Sequence, residues 1–119
     1  MIGFLTTKRK KQTAISPTQR TLKRLRDSGD YPLVTIVERW NAFAKIRQDL
    51  FGIIDILAID SKGNTVGLQV TSYSNISARV KKMENSDAIS HLRDANWQLI
   101  VEGWHKKDGK WVGRIVDIS

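Results

Sequence analysis

Asp55 ends the run Asp49-Leu50-Phe51-Gly52-Ile53-Ile54-Asp55, and Gln69-Val70-Thr71 follows after a Ser61-Lys62-Gly63 turn. A carboxylate set in an apolar, β-prone segment is opposed by strand propensity and by desolvation, so it needs a cation, a set of donors, or water. A divalent metal meets that need with hard oxygen ligands. Metal-dependent hydrolysis asks for oxygens that hold the cation, an activated water, and positive charge near the developing oxyanion. Asp55 is the first ligand candidate. Gln69 can add a side-chain oxygen, although a neutral amide weakens cation affinity. Glu38 and Asp49 are two further carboxylates that restore the charge; the competing readings pair Glu38 with Arg39 and let Asp49 cap a turn. Thr71 carries no charge to stabilise an oxyanion. A cation must then come from Arg79 and Lys82, or from Lys45 and Arg47, unless those basic residues are only solvated or in contact with phosphates.

The elements that hold these residues follow from pattern. If Asp60 pairs with Asn64 across a three-residue loop, Gly63 supplies the left-handed conformation that such loops favour, and Asp55 falls opposite Gln69. Asp55, Gln69 and Thr71 then share one face of a hairpin, with Ile54, Ile56, Leu68 and Val70 on the other. The two strands are expected over Leu50 to Ile59 and Thr65 to Thr71. Upstream, Ser16 and Gln19 form a capping box, Pro17 sits at the first helical position and Gly29 closes the helix. Only Leu22 and Leu25 give that helix an inward stripe. Leu33 to Glu38 is β-branched and reads as a strand, and Arg39 to Gln48 as a loop or short helix. Asn75 or Ser74 caps a helix to about Met83, with Ile76, Val80 and Met83 on one face and Arg79 and Lys82 on another. Ser86 caps a further helix ending near Asp94. Trp97 to Trp104 and Trp111 to Ile118 are strands joined by a loop with Asp108-Gly109. The order αβββα(α)ββ predicts an α/β or α+β layer structure with a central mixed sheet.

An aspartate after a short apolar run, a turn, then a polar, an apolar and a polar residue resembles the PD-(D/E)XK nuclease superfamily. Asp55 matches its aspartate, Ile54 stands where a proline often sits, Gln69 at the Glu/Asp position, Val70 at the apolar position and Thr71 at the usual lysine. Two of the three polar positions therefore depart from the pattern. The chain is closer to phage and prophage members that read roughly Arg-x-Asp-Leu-Phe-Gly, an aspartate, Gln-Val-Thr-Ser and a basic helix. Here these are Arg47, Asp49 to Gly52, Asp55, Gln69 to Ser72, and Ala78-Arg79-Val80-Lys81-Lys82. The likeness runs over residues 20 to 117. It implies a three-layer restriction-endonuclease-like domain over residues 15–119. It also implies Mg2+ or Mn2+ as cofactor, with the Val70 carbonyl as a further ligand, and cleavage of DNA, including branched or junction DNA, by a homodimer. Among the cations it favours Arg47 and the helix pair. The lost lysine and acid leave an alternative, a DNA-binding module that keeps the nuclease fold without cutting.

Charge points to the same partner. The net charge is +8, and the first 28 residues carry most of it: Lys8, Arg9, Lys10, Lys11, Arg20, Lys23, Arg24 and Arg26 stand against Asp27 alone. A basic end on a nearly neutral body is the footprint of a polyanion contact, most often nucleic acid phosphate; the competing reading is a solubilising tail. Residues 1–14 lack periodicity and are expected to be a flexible basic arm. An RNA-binding protein would rest on charge alone. Among the aromatics, Trp40 beside Arg39 is the candidate to stack on a base, while Trp97 alternates with Leu99 and Val101 as core. His91 and His105 have no metal-ligand spacing. With no cysteine, disulfides and thiolate metal sites are excluded. Met1 to Leu5 is too short for a signal sequence, and no apolar run reaches the roughly 18 residues of a membrane span. A soluble, cytoplasmic protein is therefore expected.

Overall fold

Ser16 and Gly29 bracket the first helix, α1 (Pro17–Ser28), in the computed structural model, which describes residues 15–119. The Ser16 Oγ accepts the Gln19 N–H at 3.2 Å, and Gly29 ends the helix in the left-handed region at φ 76°. Leu22 and Leu25 are buried as the stripe predicts, together with Thr21. The expected basic arm, with Lys8, Arg9, Lys10 and Lys11, lies outside the described residues.

After α1 come β1 (Leu33–Ile36), β2 (Arg39–Asn41), β3 (Ile46–Gln48), β4 (Ile56–Ile59) and β5 (Thr65–Ser72). A single 3-10 turn then leads into α2 (Ile76–Glu84), α3 (Ile89–Asp94), β6 (Gln98–Lys107) and β7 (Lys110–Asp117). Five strands form a mixed sheet in the order β1-β4-β5-β6-β7. Only β5 and β6 run parallel, because α2 and α3 carry the chain back between them, as a parallel crossover requires. The fold is thus α+β, and along its main sheet the order is the expected αβββααββ. On one sheet face, Leu22 and Leu25 pack on Ile56, Ala58, Val66, Leu68 and Val70. On the other, Ile76, Met83, Ile89 and Leu92 of the later helices pack on Leu99 and Val101. Burying each such side chain contributes roughly 1.5–3 kcal/mol.

Three local expectations need correction. Arg39 to Gln48 is neither loop nor helix but a separate two-stranded hairpin, with Arg39 opposite Gln48 and Trp40 opposite Arg47. Leu50 to Ile54 is not strand: Leu50 and Ile54 bridge each other around a turn in which Phe51 (φ 55°) and Gly52 (φ 77°) are both left-handed. The ladder between β4 and β5 ends where Ile56 pairs with Leu68, and the Asp55 N–H donates to the same Leu68 carbonyl at 2.8 Å. Two residues facing one make a bulge. It turns Ile54 away from Ile56 and into the core beneath α2 and α3, so the expected sharing of a face by Ile54 and Ile56 does not occur.

Glycine sets how closely α2 lies on the sheet. A Cβ on Gly103 would stand 2.6 Å from the Ile76 Cδ1 and 3.1 Å from the Ser72 carbonyl. This bare patch of β6 receives the first residue of α2.

Candidate metal centre

The bulge that ends β4 also aims Asp55 at the end of the sheet, where the chain passes three times. Glu38 follows β1, Asp49 follows β3, and Asp55 precedes β4; one carboxylate oxygen of each lies within 4.8 Å of the others. Backbone bonds fix this meeting, since the N–H groups of Val37 and Glu38 both donate to the Asp55 carbonyl, at 2.9 and 3.3 Å. The three residues are close only because β1 and β4 are sheet neighbours and the β2–β3 hairpin returns the chain to its starting point.

The carboxylates differ in surroundings. Asp55 is 4 % exposed, whereas Glu38 and Asp49 are half-buried on the wall of an open cleft of about 880 Å³ that is also lined by Arg39, Arg47 and Lys82. Burial pushes the Asp55 carboxyl up from its ordinary 3.8 to about 7. A hydrogen bond shared with Asp49, and repulsion by the Asp49 and Glu38 charges, add to the rise. The Val70 N–H, which donates to Asp55 Oδ2 at 2.9 Å, acts in the opposite direction.

Cations stand around the acids. Lys82 Nζ is 3.6 Å from Asp49 Oδ2, and Arg47 Nη1 is 3.4 Å from Glu38 Oε1. Arg47 remains largely in water and Lys82 about half so. Arg79, one turn before Lys82 on α2, donates to Gln69 Oε1 at 2.9 Å. Gln69 in turn donates its amide to the Ile53 carbonyl at 3.0 Å and to Asp49 Oδ2 at 3.3 Å. Its orientation is forced, because a guanidinium can only donate and a carbonyl can only accept.

The amide oxygen that was expected to hold a cation therefore serves Arg79, and Gln69 is a fully buried strut between α2, the turn at Ile53 and Asp49. Val70 meets Asp55 as an N–H donor, its side chain buried on the α1 face. Thr71 is buried on β5 opposite Gly103, and among the described residues no hydrogen bond joins it to the acids. Lys45 lies at the far turn of the β2–β3 hairpin with φ 55°.

The basic residues expected to touch a polyanion are divided. Arg24 grips Glu102 of β6 with two bonds of 2.8 and 2.9 Å. Glu102 is 1 % exposed and also accepts the Thr21 hydroxyl at 2.9 Å, while Thr21 accepts the Trp104 indole N–H at 2.9 Å. Arg20 lies over the Trp111 ring, 3.7 Å from its centroid. Lys23 pairs with Asp27 on the surface at 2.5 Å. Trp40 is exposed, as a stacking residue must be.

No family model, no curated protein and no solved structure matches this chain. Sequence reasoning missed Glu102, whose alternation within Leu99 to Trp104 marks it as inward-facing and so in need of a partner. Among the described residues, no helix is long and apolar enough to cross a membrane.

Proposed function

We propose that the cleft at Glu38, Asp49 and Asp55 is the centre of a divalent-metal-dependent DNA endonuclease with a restriction-endonuclease-like domain. The observation that carries this reading is the convergence of three carboxylates from three separate segments within 4.8 Å. Burial first, then the hydrogen bond with Asp49 and the nearby charges of Asp49 and Glu38, raise Asp55 to about 7, so a cation that keeps it ionised would relieve an unfavourable arrangement. An all-carboxylate donor set suits a hard cation, and Mg2+ or Mn2+ fits it better than a soft one. Held there, the cation supplies Lewis acidity and a lowered pKa for water.

The chain's own residues do the remaining work. Asp55, oriented by the Val70 N–H and the bulge, would hold such a cation as a carboxylate together with Glu38 and Asp49. Lys82 and Arg47 border the cleft as charges for a phosphodiester. Arg79 positions Gln69 and, through it, Asp49, and Lys82, 3.6 Å from Asp49, is the ammonium that stands in for the one Thr71 lacks. A homodimer would bring two such clefts to two strands.

A second reading, favoured by the neutral Gln69 and Thr71, keeps DNA binding without cleavage. The deciding experiment incubates the protein with linear, nicked and four-way-junction DNA in Mg2+, Mn2+ or EDTA, beside Asp55→Ala. Metal-dependent cutting by wild type and none by the variant is the expected result. Binding without cutting in either metal supports the second reading, and equal cutting by Asp55→Ala overturns the assignment of the site.

A further inference from the structure

The β2–β3 hairpin hangs between two of the three acids, with Arg39 next to Glu38 and Gln48 next to Asp49. It pairs with no strand of the main sheet. Its side chains reverse the usual rule for an exposed hairpin: Trp40 is 59 %, Ile46 50 % and Phe43 100 % exposed. Between residues 39 and 48 there are three cations, Arg39, Lys45 and Arg47, and no acid. The tip is nonetheless built. Asn41 Oδ1 accepts the N–H groups of Phe43 and Ala44, both at 3.0 Å, and Asn41 Nδ2 donates to Gln48 at 3.2 Å. A fully exposed phenylalanine on a turn held by side-chain bonds is preorganised to enter something.

The charge selects the occupant. Arg47 already faces Glu38, but a purely apolar partner would leave Arg39 and Lys45 without anions, whereas nucleic acid offers base faces for Phe43 and phosphates for Arg39 and Lys45. We propose that this hairpin is a wedge that recognises branched DNA, with Phe43 entering the opened base stack at the branch point. The role rests on the nuclease reading only for what the neighbouring cleft does. The five residue steps of extended chain from Glu38 to Phe43 span at most about 16 Å, or about five nucleotide steps of roughly 3.4 Å. The scissile phosphate therefore lies within about five nucleotides of the branch.

The test uses the full chain in EDTA, where cleavage cannot interfere, with a linear duplex and a four-way junction carrying 2-aminopurine at the branch. Wild type is expected to raise the 2-aminopurine fluorescence of the junction. Phe43→Ala should abolish that rise and weaken junction binding about tenfold, the scale of one base–aromatic stack, with linear-duplex affinity and thermal melting unchanged. Phe43→Trp should preserve the signal. Equal junction affinity and fluorescence for wild type and Phe43→Ala overturn the proposal, as does a wild type that binds neither DNA. So does a Phe43→Ala variant that sediments as monomer where wild type is dimer while binding DNA equally, which would assign the hairpin to self-association. Failure of the nuclease reading looks different: no cutting in Mg2+ or Mn2+, with the effects in EDTA intact.

Discussion

Asp55 illustrates how one buried carboxylate links stability to a ligand. Its folded value of about 7 lies above its ordinary 3.8, so between these pH values the folded chain holds a proton that the unfolded chain has lost. Stability from this group is therefore full below about pH 4 and lost as pH rises to about 7. Asp49 and Glu38 raise the value, while Lys82 and Arg47 face those two acids from the cleft wall. Without metal, Asp55→Asn is expected to melt higher than wild type at pH 8, by an amount on the order of a few kcal/mol, and to lose that advantage at pH 4. Adding Mn2+ at pH 8 should raise the melting temperature of wild type and leave that of Asp55→Asn almost unchanged; paired melting curves at the two pH values check both. Gln69 gives a second prediction. Gln69→Glu places an acceptor against the Ile53 carbonyl and Asp49, which should cost about 1–3 kcal/mol in EDTA, and Mn2+ should restore part of the loss. Denaturant titrations with and without metal measure it.

At the scale of elements, the helices are held by features that also limit what their charges can do. Arg24 is bound to a buried carboxylate, so Arg24→Met leaves Glu102 unpaired in the interior and should destabilise by about 3 kcal/mol or more. The urea midpoint measures this, and a loss of DNA binding by that variant would need correction for unfolding. On the other face, α2 brings Lys82 to the cleft and Arg79 to Gln69 because Gly103 lets Ile76 touch the sheet. Gly103→Ala should cost about 1–3 kcal/mol through overpacking, and if it folds it should lower metal affinity more than substitutions on β7 do; calorimetric Mn2+ titration is the check. Helix α1 was readable because its cap and apolar spacing are local; α2 and α3 were readable by apolar spacing alone, since Asn75 makes no side-chain cap bond and the N-cap of α3 is Ala88 rather than the expected Ser86. The Ser16 cap, the Leu22 and Leu25 stripe and the Arg79 and Lys82 face all appear as expected. The β2–β3 hairpin was not readable, since its apolar residues face water and so give no inward alternation.

For the whole molecule, charge is the long-range variable. The four consecutive cations Lys8 to Lys11 precede a helix on which Arg20 lies over Trp111, Lys23 pairs with Asp27 and Arg24 with Glu102, so if the protein binds DNA as proposed, residues 8–11 are expected to supply most of the salt-sensitive affinity. Replacing all four by alanine should reduce the slope of log K against log salt by about 3 to 4, with the fold unchanged; fluorescence anisotropy across a salt series measures the slope.

The sequence by itself determined the helices, most strand positions and the order along the main sheet, and it singled out Asp55, which the structure places in a cluster with two further acids. These follow from short-range terms: periodicity, caps, turn residues, and the cost of a lone carboxylate among apolar neighbours. Tertiary structure decided which acids join it. Glu38 and Asp49 stood in the sequence beside equally plausible surface roles, and only the pairing of β1 with β4 and the return of the hairpin bring them to Asp55. It also decided what Gln69 does, because an amide takes its role from whichever donor and acceptor reach it, and Arg79 arrives from another element. The bulge at Asp55 belongs to the same class: one backbone bond to Leu68 reverses the face of Ile54, and no alternation pattern encodes a residue that leaves the ladder.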